Sequence, residues 1–127
     1  MASLPFLALL LAQAAVPPAA QADWRPLGPS ATGRQSFYDP ASVVRAGAVT
    51  RVSVRFVEAT GYVVSTVELR CANYDGRVAG MTTYNASGTQ TAHNDMATPF
   101  RAILAGSFVE ALAQAVCGAA QGPAAPQ

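Results

Sequence analysis

"AVTRVSVRFVEATGYVVSTVELRC", residues 48–71, decides the fold. Val52, Val54 and Phe56 face one way and Arg51, Ser53 and Arg55 the other, the period-two alternation of a half-buried strand. Thr60-Gly61 breaks the run, which resumes with Val63, Val67, Leu69 and Cys71 on one side and Thr66, Glu68 and Arg70 on the other. Two such runs around a glycine-containing break predict an antiparallel hairpin.

Downstream, "NYDG" (73–76) carries strong turn chemistry at Asp75-Gly76, and "RVAGMTTY" (77–84) predicts a third strand. "NASG" (85–88) reads as a further turn, with a weaker strand following toward Thr91. Upstream, "DWRPLG" (23–28) predicts a short opening strand, and "SFYDPASVV" (36–44) a strand stopped at Asp39-Pro40. There the carboxylate can accept a backbone N–H and Pro40 presets its own φ, so a single helical turn over Ser42–Val44 is expected.

"GSFVEALAQAVCG" (106–118) changes period. Phe108, Val109, Leu112, Ala113 and Val116 fall on one face at helical spacing, and Gly118 supplies a stop. Ser107 can accept from the Glu110 N–H while the Glu110 carboxylate reaches back to the Ser107 N–H, a capping box. The sum is an α+β fold: one antiparallel meander of about six strands, with a C-terminal helix packed on one face. Arg51, Arg55, Thr66, Glu68 and Arg70 fall on the other, solvated face, which is the candidate binding surface.

The 127 residues are 51% hydrophobic and 12% charged, enough for a single packed domain. Eight arginines, with no lysine, balance seven acids, which argues against a nucleic-acid partner. Residues 1–22 have the form of a signal peptide. "SLPFLALLLAQAAV" (3–16) is shorter than a membrane span, and Ala20-Gln21-Ala22 precedes a cleavage between Ala22 and Asp23, with Ala14 as an alternative site. No cysteine follows either site, so the expected product is exported to the periplasm or cell surface without a lipid anchor. Its domain would run over residues 23–118, with a disordered tail over 119–127. In an oxidising compartment the only two cysteines, Cys71 and Cys117, are expected to pair and tie helix to sheet.

No catalytic constellation emerges. His93, the single histidine, sits with Asn94 and Asp95 in a stretch read as a polar loop, and one imidazole with one carboxylate falls short of a zinc site. Neither G-x-S-x-G, a P-loop nor a dinucleotide turn is present. No metal, no cofactor and no enzymatic activity are expected.

The order of motifs resembles the surface-adhesin protein E-like domain of exported Gram-negative proteins. It opens with Trp24-x-Pro26-Leu27, then Phe37-Tyr38-Asp39-Pro40-Ala41-Ser42-Val43 and Gly47. Val52-x-Val54, Glu68-x-x-Cys71, Tyr84 and Gly88 follow, and Ile103-x-x-Gly106-Ser107 with Val116-Cys117 closes it. The resemblance covers residues 24–118 and implies a sheet of about six strands under a helix. It also implies adhesion to host extracellular-matrix proteins. The alternatives are a periplasmic domain of structural role contacting other envelope proteins, with a homodimer through a sheet edge as the compatible assembly, and, more distantly, a secreted inhibitor of a host enzyme.

Overall fold

The computed structural model describes residues 23–28 and 34–118. The expected signal peptide (1–22, including Ala22) and tail (119–127) lie outside the described residues. Among the described residues, eight strands precede the helix: β1 (Arg25–Pro26), β2 (Ser36–Tyr38), β3 (Val44–Ala46), β4 (Val49–Glu58), β5 (Gly61–Arg70), β6 (Asp75–Asn85), β7 (Gln90–Asn94) and β8 (Arg101–Ala102). The helix α1 spans Phe108–Val116. The strands form one antiparallel sheet in the order β1-β2-β4-β5-β6-β7, with β3 added to β4 and β8 to β6.

The β4–β5 hairpin sets everything else. Glu58 faces Gly61 across the tight turn, and counting back from that pair places Phe56 opposite Val63, Val54 opposite Ser65 and Val52 opposite Val67. Gly61 is required by packing: a Cβ there would stand 2.0 Å from the Tyr84 carbonyl oxygen. The hairpin's inner face is dry, with Val52, Val54, Phe56, Val63, Val67 and Leu69 all buried. Helix α1 lays Leu112, Ala113 and Val116 onto it, and Phe108 meets Phe56 edge-on at 4.8 Å between ring centroids. Each such aliphatic side chain contributes about 1.5–3 kcal/mol by leaving water, which outweighs the modest propensity of a nine-residue helix.

Both ends of α1 are fastened. Ser107 Oγ accepts from the Glu110 N–H at 3.2 Å, as the sequence predicts. The reciprocal half of the cap is displaced by one residue, because the Glu110 carboxylate takes the Gly106 N–H at 2.9 Å while the Ser107 N–H turns to the Leu104 carbonyl. At the other end Arg45, from β3, donates to the Val116 carbonyl at 2.7 Å, a cation placed where the helix dipole favours one. Cys117 then bonds Cys71, just past β5, with the Cα atoms 5.6 Å apart.

The sheet has eight strands where the pattern predicts about six. The additions, β3 and β8, are three and two residues long and exposed throughout, so they carry no alternation to read. The helical turn falls at Pro40–Ser42 rather than Ser42–Val44, because Asp39 Oδ1 accepts from the Ala41 N–H at 3.0 Å and Pro40 opens the turn directly. The predicted loop around His93 is strand β7, paired to β6 with His93 opposite Thr82.

Candidate functional site

The face of the sheet turned away from α1 is built from every second residue of the central strands. Because Glu58 faces Gly61, Arg51 falls opposite Glu68. On the far side of β5, a bulge between Thr66 and Val67 shifts the β6 register by one residue and brings Arg77 opposite Glu68. The result is a three-strand row, Arg51–Glu68–Arg77. Arg51 reaches Glu68 Oε2 through Nε at 3.1 Å and a terminal nitrogen at 2.8 Å, and Arg77 Nε reaches Oε1 at 2.8 Å. The two guanidinium groups hide the carboxylate, leaving Glu68 5% exposed. The expectation of a wholly solvated polar face is therefore corrected at this position. The hydrogen bond from Arg51, aided by Arg77, holds the Glu68 carboxyl below its ordinary pKa, against the opposing pull of burial.

Beyond this row, Arg70 grips Asp75 with two nitrogens, which keeps the guanidinium more firmly protonated. Phe100, just ahead of β8, lies under both Arg70 and Arg77, with guanidinium carbons 4.0 and 4.4 Å from its ring centroid. At the opposite end of the face, Tyr62 and Tyr84 stack at 4.8 Å and 18°. Arg55 covers Tyr62 at 4.3 Å and reaches toward Trp24 at 5.9 Å. Between the two ends run Ser53, Thr66 and Gly80, opposite one another in register. These residues separate two arginine–aromatic clusters, and the Asp95 carboxylate lies over Gly80, 3.7 Å from where a Cβ would stand.

The five residues picked from sequence, Arg51, Arg55, Thr66, Glu68 and Arg70, do share this face. Asp75, Arg77, Phe100, Trp24, Tyr62 and Tyr84 join them there and were not picked. Tyr62 was within reach of the alternation, being in phase with Thr66 and Glu68, and the register then pairs it with Tyr84. His93, paired with Thr82 from β7 and so on the same open face, has Nδ1 2.7 Å from Thr82 Oγ1 and Nε2 2.7 Å from Asp95 Oδ1. Among the described residues, no group of three or more His, Cys, Asp and Glu side chains is arranged to hold a metal ion. Nor is any described helix long and apolar enough to cross a membrane.

Residues 24–118 match the family described as surface-adhesin protein E. No curated protein and no solved structure matches the chain. The match starts at the tryptophan of the open face and ends at the glycine that follows the disulfide, so it takes in the whole sheet, the helix and the covalent tie between them. The chain belongs to the surface-adhesin protein E family.

Proposed function

We propose that this chain is an exported, non-enzymatic protein-binding domain that contacts host extracellular-matrix proteins through the open face of its sheet. Export would remove residues 1–22 by cleavage between Ala22 and Asp23, leaving a product without a lipid anchor. Membership of the surface-adhesin protein E family supports the surface role. One observation carries the choice of face: four arginines and four aromatic rings are fixed on it by mutual contacts. Arg, Tyr and Trp are the residues that dominate binding hot spots, and side chains already held in place lose little freedom on binding.

The test has two arms. Purified protein is passed over a panel of immobilised matrix proteins. Thr66→Arg, which sets a bulky side chain between the two clusters without breaking the Glu68 row, should lower binding at least tenfold, and Gln114→Arg on the exposed side of α1 should leave it unchanged. Intact cells are also treated with protease and fractionated. Protein held entirely inside the outer membrane would overturn the adhesive role in favour of a structural one in the envelope.

A further inference from the structure

The helix side of the sheet carries a second feature, independent of the open face. Between β6, β8 and the start of α1 lies a cavity of about 240 Å³. Val67, Gly76 and Val78 form its sheet wall, and Ile103, Phe108 and Val109 the wall opposite. Gly76 contributes backbone alone, since a Cβ there would meet Leu69 Cδ2 at 2.9 Å and Val109 Cγ1 at 3.3 Å.

The chemistry of the lining narrows the occupant. A peptide strand entering this pocket would bring amide groups into walls that offer them few partners, at a substantial desolvation cost. An alkyl chain brings none. Taking roughly 30 Å³ per methylene, the share of one water molecule, the space holds a chain of about eight carbons. The mouth is cationic. Arg101 lies opposite Gly76 in the β6–β8 pairing, lines the cavity and is exposed. It makes no ion pair among the described residues. Arg77, which also borders the cavity, is committed to Glu68. The nearby Glu110 carboxylate is turned to the Gly106 N–H. We infer that the cavity binds a medium-chain fatty acid, with its alkyl chain between Val78 and Phe108 and its carboxylate on Arg101.

Ile103 is the chain's sole isoleucine, so isoleucine-methyl labelling gives one resonance, and it sits in the cavity wall. Titrating the purified protein with decanoate, below its micellar range, should shift that resonance saturably. Arg101→Gln, at an exposed position, should weaken decanoate about tenfold while leaving decanol unchanged, as expected for loss of one charge-assisted contact. Val78→Phe, which fills the space, should abolish both shifts; if it fails to fold, the Arg101 comparison still decides. An unmoved Ile103 signal, or equal decanoate affinity with and without Arg101, overturns the assignment. A shift produced by an acidic apolar peptide but not by decanoate overturns it in favour of a protein partner.

Discussion

Replacing Glu68 with glutamine keeps the shape of the central row and removes its only negative charge. At about 4 Å and an effective dielectric near 20, each arginine attracts the carboxylate by roughly 4 kcal/mol before costs. Two arginines act on it, and burying the carboxylate takes back several kcal/mol. Glutamine still offers one acceptor oxygen, and Arg51, 61% exposed in its side chain, can turn to water. The net loss for Glu68→Gln is therefore about 2–3 kcal/mol at neutral pH. For a domain near 100 residues this lowers Tm by about 10–20 °C.

The pH dependence gives the sharper check. The folded-state pKa of Glu68 is depressed, so the carboxylate's contribution is complete above the unfolded value of about 4.3 and is lost as pH falls through the folded one. Urea unfolding, followed by the fluorescence of Trp24, the only tryptophan, should show the two proteins well separated at pH 7. They should converge as the solution is acidified below the unfolded value and on through the lower folded one, where the native side chain itself becomes neutral. A difference under about 0.5 kcal/mol at pH 7, within the usual range for surface changes, would refute the reasoning. So would a gap that stayed constant down to pH 2.

Cys71→Ser and Cys117→Ser should each cost about 4 kcal/mol, the chain-entropy value for a bridge spanning 46 residues, and the double variant should be no worse than either in thermal unfolding. Gly61→Ala should destabilise by more than about 2 kcal/mol in the same assay, since the new methyl collides with the Tyr84 backbone rather than with a yielding side chain. Ser107→Ala removes the acceptor for the Glu110 N–H and should cost about 1 kcal/mol, visible as earlier loss of helical circular dichroism on heating.

The hairpin, its inward valines, the helix and the disulfide partners were legible because each rests on a repeating local signal or on simple pairing. Strands β3 and β8 were not, since they are short and bury no side chain. The decisive gap concerned Glu68. The tight turn at Gly61 already implies that Arg51 lies opposite it, because the register follows by counting back along both strands. Arg77 depends instead on the bulge beside Val67. Without that extra residue, Val78 would face outward beside Glu68 and Arg77 would point toward the helix, and no pattern in "RVAGMTTY" announces the insertion. The sequence reading left the carboxylate on a wet surface, where the folded chain supplies two arginines and a nearly dry enclosure.

The Cys71–Cys117 bond also dictates how the domain would carry tension. If the chain were pulled from Trp24 at one end and Gly118 at the other, the force would pass along the chain to Cys71, cross the sulfur bridge and leave through Cys117. The 46-residue span between the two cysteines would bear none of it, which withholds about 150 Å of contour length from extension. Strands β6 to β8 and the helix would therefore not be drawn out themselves, and the seams open to slipping are those among β1 to β5 and the one between β5 and β6.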